Sequence, residues 1–419
     1  MAAGGASAVS RASERASAPG VPRIISVDDH VVEPPDLWTS RLPRRLRERG
    51  PRIMRERGHL ELRENGAWVP SPDGDWADIW YYDDLIKAIS RMSVAVGLGE
   101  LRWGTVTFDE MRPGAWRQAD RLADMDANHV DASVCFPNTL PRFCGQTFSE
   151  RADKELGLAC VRAYNDWVID EWCAGPGYGR LVPVTIVPLW DASLAADEVH
   201  RCASKGSFAL SFPENPNALG FPSVHSGAWD PVFAACQETS TTLCMHIGSS
   251  SKMPRTSADA PFIVSSTLAF QNCMGSVLDF VFSGVLHRFP GLVLAYSEGQ
   301  VGWLPYLLER ADKLWTERSA NSFGSGGVVL DRPPSAYVRD QVYGCIFDDE
   351  TGLAVRERIG MSRICFETDF PHADGTFPDS ERVAAGICAA AGLDQAETYA
   401  LLRGNAIEAF GLSRFGIAA

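Results

Sequence analysis

The chain has 419 residues, of which 45% are hydrophobic and 22% charged, which is enough for one large globular domain of ordinary composition. Its formal net charge is −14, which argues against nucleic acid or an anionic membrane as a partner. The 11 cysteines are an odd number without a C-x-x-C pair, so we expect small buried side chains rather than disulfides or a thiolate zinc site.

Two features of the sequence bear on domain organisation and location. Residues 1–20 are rich in Ala, Ser and Gly and hold no apolar core of the kind that a signal peptide needs, so they predict a disordered tail. Residues 21–419 are then the folded domain. No stretch reaches the roughly 18 apolar residues of a membrane span. We therefore expect a cytoplasmic protein.

Short apolar, β-branched runs alternate with longer helical segments from residue 23 onward. The predicted strands are 23–28, 131–136, 181–187, 207–212, 242–245, 292–297, 342–347 and 364–368. The predicted helices are 117–129, 151–173, 193–203, 230–238, 272–289, 301–318, 350–359 and 380–391. This alternation predicts an α/β fold with a parallel sheet, and eight units close a (β/α)₈ TIM barrel. A doubly wound open sheet is the alternative, but no glycine-rich phosphate loop follows the first strand.

An insertion at about residues 38–111 interrupts this alternation after the first strand. Residues 59–69 surround an Asn65-Gly66 pair and predict a β-hairpin. The insertion is rich in aromatic residues, and its position after a strand would place it over the mouth of the barrel or at an oligomer interface. We expect Trp38, Trp76, Trp80 and Trp103 to line a substrate pocket; the alternative is that they fill a local core.

Polar side chains that can bind a metal stand at the carboxyl ends of four predicted strands. Asp28 and His30 end the first strand, where the period-two alternation points both to the same side. The same alternation points Asp29 to the opposite face, so we expect it to be structural. His246 follows the fifth strand, Glu298 the sixth and Asp369 the eighth. Barrel enzymes carry their active sites at this end of the strands. The pattern predicts a metal centre there.

This pattern resembles that of the amidohydrolase superfamily. The sequence Asp28-x-His30, then His246 and Asp369, is most similar to the amidohydrolase-related branch typified by aminocarboxymuconate-semialdehyde decarboxylase. Further matches are the segments EPPDLW at 33–38, RFP at 288–290, GWLPY at 302–306 and ETDFPH at 367–372. Within that branch, the chain looks closest to a subgroup of non-haem di-iron thioesterases of platensimycin-type diterpenoid biosynthesis.

The resemblance implies a divalent metal bound by Asp28, His30, His246 and Asp369. The sequence departs from the family pattern at Asp28, where a histidine is usual, and at Glu298, also usually a histidine. With Glu33 and Glu298 added, four carboxylates would balance two divalent ions. Two iron ions are the leading expectation, and zinc or manganese would also suit such ligands. The alternatives are that Glu298 orients a ligand histidine instead of binding the metal, and that Glu33 pairs with an arginine.

The expected activity is hydrolysis of an activated acyl bond by metal-bound hydroxide, with Asp369 accepting a proton and His372 binding substrate or moving a proton. The subgroup resemblance implies an acyl-CoA thioesterase for a bulky hydrophobic acyl group in antibiotic biosynthesis. The alternative is a non-oxidative decarboxylase of an aromatic or unsaturated acid that uses one metal. A non-catalytic barrel is a third, weaker hypothesis. By analogy with the branch, we also expect a homodimer.

Overall fold

A computed structural model describes residues 20–61, 66–99, 102–318 and 330–417. All of the predicted tail except Gly20 lies outside these residues. The described part of the chain contains no helix long and apolar enough to cross a membrane. All 11 cysteines are buried and free, as the sequence predicts for small side chains of a protein core.

The described residues form twelve strands, of which eight build the barrel and four the insertion. In chain order they are β1 (Ile24–Val31), β2 (Arg52–Leu60), β3 (Trp68–Pro70), β4 (Asp75–Tyr82), β5 (Leu85–Ala88), β6 (Val130–Pro137), β7 (Leu181–Thr185), β8 (Ala209–Ser211), β9 (Thr242–His246), β10 (Leu294–Ser297), β11 (Val342–Ile346) and β12 (Ile364–Phe366).

The eight-stranded sheet runs β1-β6-β7-β8-β9-β10-β11-β12, and its neighbouring strands are parallel. Two backbone hydrogen bonds join β1 to the residues that follow β12, from Asp369 N to Asp28 O (2.9 Å) and from His30 N to Phe370 O (2.6 Å). The strand order never reverses, unlike that of a doubly wound sheet. The predicted (β/α)₈ TIM barrel is therefore confirmed, and every barrel strand overlaps a predicted one.

Helices follow most barrel strands and cover the outer face of the barrel. The α-helices are α1 (Leu37–Arg41), α2 (Arg44–Arg47), α3 (Gln118–Ala127), α4 (Gln146–Glu150), α5 (Lys154–Trp167), α6 (Ala192–Ser204), α7 (Asp230–Thr239), α8 (Phe262–Thr267), α9 (Gln271–Phe282), α10 (Val285–Arg288), α11 (Leu304–Arg318), α12 (Pro334–Gln341), α13 (Glu350–Ala354), α14 (Arg356–Ile359), α15 (Ser380–Ala390), α16 (Gln395–Tyr399) and α17 (Asn405–Ala409).

Shorter helical segments complete the outer layer, and local signals set several helix boundaries. One π-helical segment, Val168–Trp172, extends α5, and another, Ala400–Gly404, joins α16 to α17. The predicted helix 272–289 divides into α9 and α10 because Gly284 has φ 74°, a left-handed conformation that an α-helix does not contain. Short 3₁₀ helices are Arg91–Val94, Pro113–Ala115, Gly175–Gly177, Pro216–Leu219, Val224–Ser226, Met361–Arg363 and Leu412–Phe415.

The C-terminal segment closes the amino-terminal end of the barrel. Phe410, Leu412 and Phe415 pack in one buried cluster with Ile25 and other apolar side chains of the barrel strands. Thr242, the first residue of β9, donates its hydroxyl hydrogen to Ala409 O at 2.6 Å. This end of the barrel is thereby filled with apolar side chains, which leaves the carboxyl ends of the strands open for a site.

The insertion forms an antiparallel sheet in the order β3-β2-β4-β5. The predicted hairpin is confirmed by the pairing of His59 with Val69, although residues 62–65 of its turn lie outside the described part of the chain. Trp38 and Trp80 are fully buried with ring centroids 5.1 Å apart, so these two form the local core that attaches the insertion to the barrel. Trp76 is 55% exposed and lies on the outer surface.

Candidate metal centre

Five of the six predicted metal ligands meet at the carboxyl end of the barrel. They are Asp28, His30, His246, Glu298 and Asp369, joined by the predicted catalytic residue His372. All of them except Glu298 and His372 are almost completely inaccessible to solvent. The ligand atoms form two overlapping groups of four, and both groups contain His30 and Glu298. The first group adds Asp28 and His246, and the second adds Asp369 and His372. Within each group every ligand atom lies within 4.8 Å of the others.

The two histidines on β1 and β9 face each other in a way that calls for a cation between them. His30 Nδ1 donates to Pro137 O at 3.0 Å, and His246 Nδ1 donates to Ile247 O at 2.7 Å. A carbonyl oxygen only accepts, so the proton of each neutral ring is on Nδ1 and each Nε2 presents a lone pair. These two Nε2 atoms are 3.1 Å apart. Burial lowers the pKa of both histidines, which favours these neutral forms.

The aspartates beside these rings lack the partners that buried carboxylates usually have. Both oxygens of Asp28 are buried without a hydrogen-bond donor among the described residues, and so are both oxygens of Asp369. Asp28 Oδ1 and Asp369 Oδ1 each lie 3.5 Å from His30 Nε2, and Asp28 Oδ2 lies 3.4 Å from His246 Nε2. Burial, followed by neighbouring carboxylates, raises the pKa of both aspartates. Unpartnered oxygens and converging lone pairs fit a divalent cation.

Glu298 borders the cluster from the side of the solvent. Its Oε2 is 3.7 Å from His246 Nε2, and its Oε1 is 3.7 Å from His372 Nδ1. Burial alone would raise the pKa of Glu298, but the imidazoles beside it lower the pKa below its ordinary value. The residue has φ 56°, and its amide donates to Glu367 Oε2 at 3.1 Å. Glu298 is thus placed within reach of a metal, and its role as a metal ligand stays a prediction.

Glu33 does not join the cluster, so its assignment as a ligand is corrected. Its Oε1 accepts from Asn138 N at 2.8 Å. Its Oε2 accepts from Thr139 N at 2.9 Å, from Leu140 N at 3.3 Å and from the Thr139 hydroxyl. These donors use both oxygens of the carboxylate. Glu33 therefore holds the loop after β6, a role for which an arginine partner is not needed.

His372 and Asp369 form a carboxylate–imidazole pair beside the cluster. His372 Nδ1 lies 2.9 Å from Asp369 Oδ1, but the two atoms are not aligned for a hydrogen bond. The His372 ring stacks on His30 with ring centroids 3.9 Å apart.

Asp29, next to Asp28 in the chain, points away from the cluster, as predicted. Its carboxylate accepts from Thr368 Oγ1 at 2.6 Å and from Phe370 N at 2.9 Å, which joins β1 to the residues that follow β12.

A cavity of about 1250 Å³ opens above the cluster, with Glu298 in its wall. Phe143 also lines it and stacks on His246, with ring centroids 4.0 Å apart and an interplanar angle of 15°. The rest of the wall comes from β5, α4 and α8, from Gly66 and Ala67, and from the loops after β6, β9, β10, β11 and β12. Its apolar members include Leu85, Ile86, Ile247, Met253, Ala269, Phe270 and Phe347. Arg142, Lys87, Gln300 and Asp374 add polar groups.

None of the four tryptophans expected in the pocket is among the residues that line this cavity. Trp38 and Trp80 are in the core, while Trp76 and Trp103 are 55% and 40% exposed. That expectation is wrong because the part of the insertion that meets the cavity consists of β5 and the residues Gly66 and Ala67. Phe143 and Lys87 were not among the residues predicted for the site. The position of Phe143 after a barrel strand was a usable signal, whereas nothing in the local sequence marks Lys87.

The family of the chain follows from a match over most of its length. A sequence model for the family described as Amidohydrolase matches residues 41–412. The chain belongs to the amidohydrolase family. The expected superfamily is thereby confirmed. Asp28 and His30 precede the matched residues, so their assignment as ligands depends on the geometry of the cluster.

Solved structures of amidohydrolases and decarboxylases share the fold. An amidohydrolase from Mycobacterium avium subsp. paratuberculosis K-10 superposes with TM-score 0.67 and 18% identity, covering 93% of this chain and 99% of that one. A 2,6-dihydroxybenzoate decarboxylase from Rhizobium has TM-score 0.58, 16% identity and coverages of 94% and 99%. A dihydroxybenzoic acid decarboxylase from Polaromonas sp. JS666 with bound manganese and 2-nitroresorcinol has TM-score 0.58, 17% identity and coverages of 94% and 98%. Among curated proteins, no sequence match was found.

Proposed function

We propose that this amidohydrolase is a metal-dependent decarboxylase of an aromatic or unsaturated carboxylic acid. The observation that carries the proposal is the position of the ligand cluster beneath a cavity whose wall includes Phe143, stacked on a ligand histidine. Decarboxylases of hydroxybenzoic acids are among the solved structures that share the fold, which supports the same reading. This was the alternative that the sequence left open.

The ligands would be Asp28, His30, His246 and Asp369, enough for one divalent ion. Such an ion supplies a Lewis acid that polarises substrate oxygens and neutralises their charge. The Pro137 and Ile247 carbonyls fix the histidine tautomers, so the Nε2 atoms are oriented before an ion arrives. Manganese, iron and zinc all suit a set of carboxylate and imidazole ligands, and manganese is present in the Polaromonas structure.

The residues around the ligands match what the reaction needs. Non-oxidative decarboxylation breaks the bond between the ring and the carboxylate carbon, leaves the electron pair on the ring carbon and adds a proton there. Phe143 offers a flat apolar surface for the ring of the substrate. The Asp369–His372 pair, with its 2.9 Å separation, can hold the proton and deliver it to that carbon.

A thioesterase is the second candidate, and two observations favour it. The two overlapping groups of ligands share His30 and Glu298, so the cluster offers atoms for a second ion, as the predicted pair of irons requires. The cavity of about 1250 Å³ would accommodate a bulky hydrophobic acyl group. In this function Asp369 would accept the proton of the attacking water, His372 would bind substrate or move that proton onward, and the thiolate of CoA would leave as the bond between the acyl carbon and sulfur breaks. The placement in antibiotic biosynthesis, the homodimer and the cytoplasmic location stay predictions.

Turnover assays on one preparation separate the two candidates. The protein loaded with manganese, and separately with iron, is incubated with aromatic and unsaturated carboxylic acids and with hydrophobic acyl-CoA esters. Release of CO₂ from an acid supports the decarboxylase, and release of free CoA supports the thioesterase. A His372→Gln variant should lose activity, whereas Glu309→Gln, an exposed carboxylate on α11, should not. Activity on the esters alone would contradict the proposal.

A further inference from the structure

The inserted sheet contributes a cationic side chain, Lys87, to the wall of the cavity. Lys87 lies on β5, next to Ile86, which lines the same wall. Its ammonium group donates to Thr139 O at 2.7 Å, the one hydrogen bond it makes among the described residues. An ammonium group has three donors, so two remain for other acceptors. The backbone of Thr139 thus anchors Lys87 with donors left for a ligand.

The charged side chains near Lys87 already have other hydrogen-bond partners. Arg142 Nη1 donates to both oxygens of Glu150 at 2.8 and 2.9 Å, so these two neutralise each other. Glu33 lies behind Lys87, and its oxygens are used by the loop after β6. Burial, followed by the charge of Arg142, lowers the pKa of Lys87 to about 7, even though Glu33 and Glu150 act in the opposite direction. An anionic ligand would stabilise the charged ammonium form.

The size of the cavity also indicates a substrate larger than one ring. A volume of about 1250 Å³ exceeds the roughly 300–1000 Å³ that is usual for small-molecule sites. A single-ring acid held at the metal ligands would leave much of this space unfilled. The apolar side chains of Leu85, Met253 and Phe270 line the wall as well, and they suit a hydrophobic body.

We infer that Lys87 is a specificity residue, which binds a second anionic group of the substrate, a carboxylate or a phosphate monoester, while the first group lies at the metal ligands. The inference rests on the proposed function only in assigning the first carboxylate to the metal centre. The inserted sheet would then select acids with two anionic ends. Neither the metal ligands nor Phe143 provides this selection, because the ligands are neutral imidazoles and anionic carboxylates and Phe143 is uncharged.

Binding to the manganese-loaded protein tests the inference without any turnover. Calorimetry would compare benzoate with isophthalate, biphenyl carboxylate with biphenyl dicarboxylate, and hydroxybenzoate with phosphonooxybenzoate. At least one doubly anionic compound should bind more tightly than its partner, and Lys87→Met should weaken that binding about 10- to 100-fold, since a hydrogen bond to a charged group is lost. Lys87→Arg should retain most of the affinity. Binding of the singly charged compounds should change less than about twofold.

A matched control and a second measurement complete the test. Lys313→Met, an exposed lysine on α11, should leave all affinities unchanged. In the native protein, a doubly anionic ligand should protect Lys87 from reductive methylation, measured by mass spectrometry, while Lys313 stays reactive. Whether the dicarboxylates or the phosphate monoester give this protection identifies the kind of anion that Lys87 binds. Equal binding of each pair, or a preference that survives Lys87→Met, would overturn the inference; absence of CO₂ release alone would overturn only the proposed reaction.

Discussion

Replacing Glu33 by glutamine tests whether this carboxylate supports the fold or binds a metal. In Glu33→Gln, one oxygen of the buried carboxylate becomes an NH₂ group that faces backbone donors. Asn138 N, Thr139 N and Leu140 N all donate to Glu33 at 3.3 Å or less. A hydrogen bond to a charged group contributes about 1.5–3 kcal/mol, and an orphaned buried donor costs about 1–3 kcal/mol. We expect the free energy of unfolding to fall by about 3 kcal/mol.

The assay is chemical denaturation, accompanied by elemental analysis of metal in the same sample. Glu309→Gln is the control, and it should change the free energy of unfolding by less than about 1 kcal/mol because its salt bridge to Arg358 is exposed. Metal bound per chain at saturation should equal that of the native protein. A Glu33→Gln variant with native stability that has lost metal would refute our account of this residue.

Three further predictions concern the wall, the proton carrier and a buried carboxylate. Phe143→Leu should weaken binding of aromatic acids up to about tenfold in calorimetry without loss of metal, because stacking contributes about 0.5–1.5 kcal/mol; unchanged affinity would contradict it. His372→Gln should lower kcat about 10²- to 10⁴-fold in steady-state assays with metal content retained. Burial raises the pKa of Glu214 from its ordinary 4.5 to about 8. The folded state therefore retains a proton that the unfolded chain releases, so stability falls as pH rises through this range. Denaturation at several pH values should show Glu214→Gln gaining relative stability by up to about 1.4 kcal/mol per pH unit, whereas a pH-independent difference would contradict it.

The barrel and most of its ligands could be predicted because the signals are local. Each barrel strand is a short apolar run that ends in a turn, and Asp28, His246 and Asp369 directly follow such runs. A carboxylate or imidazole at the end of a buried strand is costly to bury without a partner, so the same few residues mark both the barrel and its centre. Asp29, one position from Asp28, was correctly separated from the site by the period-two alternation alone.

The roles of Glu33 and of the tryptophans depend on contacts that the sequence does not show. Glu33 is held by residues 138–140, more than 100 positions along the chain, and a carboxylate that accepts amide hydrogens has the same local sequence as one that binds a metal. Trp76 and Trp80 lie on the same face of β4, yet Trp80 is fully buried and Trp76 is 55% exposed. Only Trp80 packs against the barrel. The alternation of side chains shows which face of β4 a residue lies on, but not how far along the strand the barrel covers that face.

The central claim is that Asp28, His30, His246 and Asp369 hold a divalent metal ion. The most direct test is elemental analysis of the native protein and of an Asp28→Asn, His246→Ala double variant, both equilibrated with manganese and then desalted. We predict that the native protein retains at least one manganese ion per chain and that the variant retains one ion per chain fewer. The variant should stay folded. A native protein that retains no metal, or a variant that retains as much as the native protein, would contradict it.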